Sequence, residues 1–367
     1  MPFEGLREFL SLLEARTELA RVSKEIYDNS YEISVILDKL QRMHGKAVIF
    51  ENLKNYDIPM CANILGTLRR ISMVLETNEE KLLDEWEKRK LSNWPIPKHV
   101  SDGPCKESVI KEEHVNLFRY PILKWNPLDA GRYITLGVLI SNDPETGDRN
   151  AGIYRLMVQG KKQLGINMLE TRHVTIHYKK AEALGKPLEA AVVIGLDPTI
   201  VLAAATDLKL GEDELAFAGA LRKEPVKVTD CQTVDLEVPA SSEIVIEGRI
   251  PPNIRAIEGP FGDYEGYYGA ASYKPILRIE AITQRENPIY QATYTGKPPK
   301  EEHFITSTST SPHHPSINNL NSLRNSISAI FRSAYHRLKL QMTAKPIKLP
   351  SEDIDKVAND WLDYGLE

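Results

Sequence analysis

The sequence predicts a multi-domain protein of mixed α+β and α/β organisation: an N-terminal α/β domain, a central β-barrel and a reduced, α-rich C-terminal region. Three observations predict it. The chain has 367 residues, enough for two or three domains of about 100–200 residues each. Helical apolar spacing dominates the opening, and many short β-rich segments then crowd the stretch after residue 132, as in a closed or half-closed barrel. The texture changes again after about residue 303. The expected domains are therefore 1–105, 106–302 and 303–367.

Leu6, Phe9, Leu10, Leu13 and Leu19 fall at helical spacing and predict a helix over 4–22. A second helix is expected over 31–44, ending at Gly45, followed by a strand at 47–50. Helices return near 64–76 and 78–90, the latter with Thr77 and Glu80 in capping-box spacing. Pro95, Pro97, Ser101, Gly103 and Pro104 make 92–108 a linker. Strands are expected at 134–140, 153–158, 163–168 and 173–178, the first two joined by the turn Asp143-Pro144-Glu145-Thr146-Gly147-Asp148. A helix near 179–185, a strand at 190–194 and a helix at 212–222 interrupt the pattern. Strands resume at 243–249, 274–283 and 289–294. The Thr/Ser run at 306–311 is expected to be a loop. One or two helices are expected over 319–341 and a last one over 351–363, started by Ser351.

Hydrophobic residues make up 42% and charged residues 26%, the balance of an ordinary globular protein. The net charge of −5 comes from mixed signs, with no basic face for nucleic acid. No run of 18 apolar residues is present, so no membrane insertion is expected. Acid precedes any apolar stretch at the N-terminus, unlike a signal peptide. Cys61, Cys105 and Cys231 are widely spaced and form neither a metal pair nor a disulfide framework. Idle thiols fit a reducing, cytoplasmic setting.

Several residues can do chemistry. Arg155 lies in an apolar strand, sharing a face with Ile153 and Met157. Buried there, it needs an anionic partner. His173 and His177 have the i, i+4 spacing of a helical metal pair. The intervening Val174, Thr175 and Ile176 are β-branched, however, and favour a strand. Glu212, Asp213 and Glu214 open a helix, where acids favour its positive end. Glu258 and Asp263 flank the tight segment Gly259-Pro260-Phe261-Gly262. Such a turn can bring two carboxylates to one point while giving them different surroundings, so that one is an anion and the other a proton donor.

Taken in order, Asn150-Ala151-Gly152-Ile153-Tyr154-Arg155, Arg172-His173, Glu214 to Arg222 and Glu258-Gly259-Pro260-Phe261-Gly262-Asp263 resemble the motifs of the UbiD family of prenylated-flavin-dependent (de)carboxylases. Gly131-Arg132-Tyr133-Ile134-Thr135 and Gly195-Leu196-Asp197-Pro198 agree with it, and the likeness runs from about residue 4 to about 302. The resemblance implies a central split β-barrel of flavin-reductase-like type. It implies prenylated FMN as cofactor, contacted by Asn150, Ile153, Tyr154, Arg155, Asn167, Met168, Leu169, Arg172, His173 and Glu214. Asn150, His173 and Glu214 are implied ligands of a divalent metal, usually Mn²⁺, with K⁺ often nearby. Arg155, Glu258 and Asp263 match the family's catalytic triad. The flavin then serves as electron sink, carbon dioxide leaves, Arg155 keeps Glu258 ionised, and Asp263 supplies the replacing proton. That role asks for burial or a negative neighbour at Asp263.

The implied substrate is a small carboxylic acid, aromatic (hydroxybenzoate-like) or α,β-unsaturated. A phosphorylated mevalonate derivative and a flavin-binding paralogue without activity are the alternatives. A flavin prenyltransferase would supply the cofactor, and a homo-oligomer is expected. Family members are usually longer, with a substantial C-terminal α/β domain. Here about 65 residues follow Glu302, the pattern expected of an internal deletion that leaves a shortened C-terminal region.

Overall fold

The structure, a computed structural model, describes residues 3–309 and 344–366. In helix α1 (Leu6–Ala15), Leu6, Phe9, Leu10 and Leu13 form one buried stripe. The helix stops earlier than its spacing predicts. Thr17 adopts a left-handed φ of 58°, and Leu19 belongs to strand β1 (Leu19–Val22). Next come α2 (Glu32–Arg42), β2 (Ala47–Phe50), β3 (Met60–Ala62), α3 (Leu68–Val74) and α4 (Leu82–Lys90). Asn78, not Thr77, caps the turn before α4, its side chain accepting from the Lys81 amide. The expected linker is partly ordered: within it β4 (Lys98–His99) forms a strand, and β5 (Ser108–Lys111) begins at its end.

The middle of the chain is a closed barrel. Its strands are β6 (Tyr133–Asn142), β7 (Arg149–Gly160), β8 (Gln163–Ile166), β9 (Leu188–Ile194), β12 (Ile244–Ile250) and β16 (Ser272–Gln284). They pair in the order β12-β9-β6-β7-β8-β16, and β16 pairs back with β12, so every contact is antiparallel and no edge remains. The expected barrel is thus present. Its closing seam needs a glycine: at the β12 bulge a Cβ on Gly248 would lie 2.0 Å from the Arg278 carbonyl oxygen. Alternate barrel residues such as Leu139, Leu156, Leu164, Ile246 and Ile282 share one core. Their neighbours Val138, Ile140, Ala151, Val193 and Val245 join a second core, together with Leu202, Leu215 and Phe217 from two later helices. Burying each such aliphatic side chain contributes about 1.5–3 kcal/mol.

Helices α5 (His173–Ala183), α6 (Pro198–Ala204) and α7 (Glu214–Arg222), with strands β10 (Lys227–Asp230) and β11 (Glu237–Pro239), fill the crossovers. The strand expected at 173–178 is instead the first half of α5. Burial of Val174, Thr175 and Tyr178 along the helix overrides the weak propensity of β-branched residues. Gly185 then ends it at φ 66°. After β13 (Arg255–Glu258), β14 (Phe261–Gly262) and β15 (Tyr268–Gly269), the chain re-enters the barrel as β16; it then leaves, and β17 (Tyr290–Ala292) pairs with β3 to complete the sheet β1-β2-β3-β17.

Helix α8 (Glu301–Ser309) takes in most of the Thr/Ser run expected as a loop. Phe304 and Ile305 are buried, and the Ser307 and Thr308 hydroxyls donate to the Phe304 carbonyl within the helix. The helices expected over 319–341 lie outside the described residues. Helix α9 (Ser351–Asn359) closes against α2, where Lys356 and the Tyr364 hydroxyl both meet buried Glu32. It ends four residues short of expectation, a 3-10 turn at Leu362–Tyr364 following.

Candidate active site

Strand β7 presents Arg155, and β13 ends on Glu258. The Arg155 Nε and Nη2 donate to Glu258 Oε1 and Oε2 at 3.0 and 2.9 Å, a two-pronged ion pair. Glu258 is wholly buried. A charge so placed needs a fixed counter-charge, and Arg155 supplies it. Burial alone would lower the Arg155 pKa. The bonds to Glu258 together with the charges of Glu258 and Asp263 outweigh it, and the pKa rises.

The third guanidinium nitrogen, Nη1, donates to Asp263 Oδ2 at 2.8 Å. One cation therefore bridges both acids. Asp263 follows β14, whose pairing with β15 closes a turn in which the Asp263 amide donates to the Tyr267 carbonyl. Its side chain is 39% exposed, so the deep burial expected of a proton donor is absent. The Glu265 and Glu302 carboxyls are both pushed up, first by burial and then in part by the charge of Asp263. Phe261 lies beneath the guanidinium at 5.1 Å and stacks on Tyr133 at 4.4 Å. Gly259 precedes them at φ 85°, where an added Cβ would approach the Ala270 carbonyl oxygen at 3.2 Å.

A second group sits at the other end of the same stretch of β7. Five residues of strand separate Asn150 from Arg155, about 17 Å. Glu214, first residue of α7, is 4% exposed, and its Oε2 accepts from the Ala151 amide at 2.8 Å. Burial raises its carboxyl to about 8. Asn150, the residue before Ala151, is buried, with Nδ2 unpartnered among the described residues. Burial raises the Tyr154 phenol, and the charge of Arg172 and the Val174 backbone partly offset that rise. Arg172 stands 5.6 Å over the Tyr154 ring. His173 opens α5. Burial lowers its pKa, Asp207 raises it, and Arg172 lowers it again.

A buried carboxylate with no ion pair among the described residues and a half-buried imidazole at two helix starts suit a hard divalent metal, with the Asn150 side-chain oxygen as a further donor. The same helix N-termini suit a phosphate. The segment 167–169 runs beside β7, the Asn167 amide donating to the Arg155 carbonyl. Met168 is buried, its carbonyl accepting from Lys274 Nζ at 3.2 Å. Leu169 is exposed and Ile153 half-buried. His177 lies one turn beyond His173, wholly buried on Ser141.

Some of the site carries no sequence signal. Asp129 is buried and accepts from the Gly262 amide at 2.8 Å, and Thr295 donates its hydroxyl to the Gly262 carbonyl at 2.8 Å. Neither stands within a recognisable catalytic pattern. Only the pairing of distant segments reveals them.

Residues 78–298 match the family described as 3-octaprenyl-4-hydroxybenzoate carboxy-lyase Rift-related domain, and residues 10–90 match its N-terminal domain. This chain belongs to the UbiD family. It is 43% identical over 325 residues to an uncharacterized protein of Archaeoglobus fulgidus, covering 83% of this chain and 66% of that one. The chain thus spans about two thirds of the length of the curated relatives it matches. Among solved structures it is similar to an evolved dimeric form of the UbiD-class enzyme HmfF from Pelotomaculum thermopropionicum, in complex with prFMN. The TM-score is 0.79 at 36% identity, covering 84% of this chain and 71% of that one. It is also similar to the vanillic acid decarboxylase of Sedimentibacter hydroxybenzoicus in closed form, with a TM-score of 0.82 at 32% identity, covering 84% and 68%. The family and the fold that the motifs imply are both borne out. No helix among the described residues is long and apolar enough to cross a membrane.

Proposed function

We propose that this UbiD-family chain is a carboxy-lyase that reversibly removes the carboxylate of an aromatic or α,β-unsaturated acid with prenylated FMN. The observation that carries the reading is the single guanidinium of Arg155 held between a buried Glu258 and a solvent-reaching Asp263. When bound, the prenylated flavin supplies an electron sink for the pair left by the departing carbon dioxide.

The chain's own residues divide the remaining work. Asn150, His173 and Glu214 would hold Mn²⁺, which offsets the flavin phosphate charge between the starts of α5 and α7. Ile153, Tyr154, Asn167, Met168, Leu169 and Arg172 line the run from there to Arg155. Glu258, both oxygens engaged, keeps Arg155 fixed. Asp263 reaches solvent, so it can take up a proton and deliver it to the carbon that lost the carboxylate. A flavin prenyltransferase would supply the cofactor, and assembly into a homo-oligomer belongs to the same reading. The aromatic class is supported by the neighbour named for vanillic acid.

The test is protein co-expressed with a flavin prenyltransferase. It should carry a modified-flavin absorption spectrum and release carbon dioxide from at least one member of a broad acid panel. Bound modified flavin with no turnover across the panel would overturn the reading.

A further inference from the structure

The turn that carries Asp263 is gripped by a loop with no other evident task. Residues 126–130 touch it at three points. The Asp129 Oδ1 accepts from the Gly262 amide at 2.8 Å, the Ala130 amide donates to the Pro260 carbonyl at 2.8 Å, and the Leu128 amide donates to the Tyr268 hydroxyl at 3.2 Å. The loop is itself braced. Asp129 Oδ2 accepts from the Asn126 amide at 2.8 Å, and Asn126 Oδ1 accepts from the Tyr294 hydroxyl at 3.0 Å.

Gly262 is the residue before Asp263, and its other face is also held, by the Thr295 hydroxyl on its carbonyl. A side chain there would have to displace its neighbours. An added Cβ would meet Asn126 Nδ2 at 2.6 Å and Ile347 Cδ1 at 2.8 Å. Gly262 is therefore held at both its amide and its carbonyl by side chains that are 3% and 7% exposed. Asp129 meets only neutral donors in these bonds. A buried carboxyl with such partners is costly for the fold, and burial pushes it up to about 7. A structural clasp could be made from neutral groups, whereas a carboxylate accepts two backbone amides in one plane.

We infer that Asp129 is a positioning residue for the acid–base step, its carboxylate fixing the Gly262 amide so that Asp263 stays on the Arg155 guanidinium and within reach of the reacting carbon. The inference rests on the proposed function. It needs no further group: Asp129 neither gives nor takes a proton and does not touch substrate. A shift of about 1 Å in a catalytic group can cost about 100-fold in rate, so a clasp on its neighbouring peptide has a kinetic signature.

Asp129→Asn and Thr295→Val are compared with wild type as flavin-loaded holoenzyme. The amide of Asp129→Asn can accept from Gly262 or from Asn126, not from both. Thr295→Val removes the grip on the other face and nearly conserves shape, a second route should Asp129→Asn fold poorly. The expected result is a kcat per bound flavin that falls about 10- to 100-fold in Asp129→Asn and less in Thr295→Val. KM and flavin content should stay within about twofold, and substrate-carbon deuterium exchange should fall in step. Amide hydrogen exchange of the 261–266 segment should quicken in both variants. Lost rate with unchanged amide exchange, or quickened exchange with full rate, overturns the inference. Loss of flavin and melting temperature at unchanged kcat per flavin also overturns it, because that marks a structural role alone. If the wild type itself lacks activity, the proposed function fails. The amide-exchange measurement then still decides whether Asp129 holds the turn, and unchanged exchange overturns that too.

Discussion

Arg155 and Glu258, 103 residues apart in the chain, are joined by two parallel hydrogen bonds of 3.0 and 2.9 Å, with the carboxylate sealed from solvent. The pair ties the middle of a barrel strand to the end of the strand that feeds the Asp263 turn. Removing one member leaves the other as a buried, unmatched charge, which costs about 3–5 kcal/mol. Arg155→Met should therefore lower the melting temperature by several degrees and abolish turnover. Glu258→Gln keeps the shape and should lose most activity with a smaller fall in melting temperature. Thermal unfolding and carbon dioxide release on the same preparations check both.

Asp263→Asn removes the acid that reaches solvent and keeps an oxygen for Arg155 Nη1. Flavin binding should be retained, while turnover and substrate hydrogen–deuterium exchange disappear. Wild-type turnover in this variant would remove Asp263 from the mechanism.

Glu214→Ala takes away the buried carboxylate at the start of α7. Metal analysis of purified protein should show about one equivalent of Mn²⁺ lost, and flavin retention through gel filtration should fall with it. A chelator applied to wild type should reproduce the loss of flavin.

His177 is 1% exposed, with Ser141 on one ring nitrogen and Asp143 and Lys180 nearby. Burial pushes its pKa down to about 4, from an ordinary 6.5. Between those values the unfolded chain binds more protons than the folded one. This group's contribution to stability is therefore lost as pH falls from about 6.5 towards about 4. Melting temperatures across that range should decline, and His177→Gln should flatten part of the slope. An unchanged slope would deny His177 that role.

Gly248→Ala drives a methyl towards the Arg278 carbonyl at the seam where β12 and β16 close the barrel. Backbone yields less readily than a side chain, so the cost should reach or exceed the usual 1–3 kcal/mol of overpacking. A chemical-denaturation midpoint measures it.

By itself the sequence determined the fold class, the family and the order of the site motifs. These are local matters. Apolar alternation placed most barrel strands within a few residues, and Asn150 to Arg155 or Glu258 to Asp263 each lie within one short window. Its misreadings were also local. Leu19 fits a helix by spacing but pairs in a sheet, and Val174 to Ile176 favour a strand but are buried along α5. Propensity is worth tenths of a kcal/mol per residue and burial worth several times more, so tertiary context wins.

Only the tertiary structure decided that Arg155 bridges two acids, that Glu258 is sealed while Asp263 reaches solvent, and that Asp129 and Thr295 grip the peptide between them. Hydrogen bonds between segments 33 to 133 residues apart have no period to read. They depend on strand register around a closed barrel, and register is fixed only when the whole barrel packs.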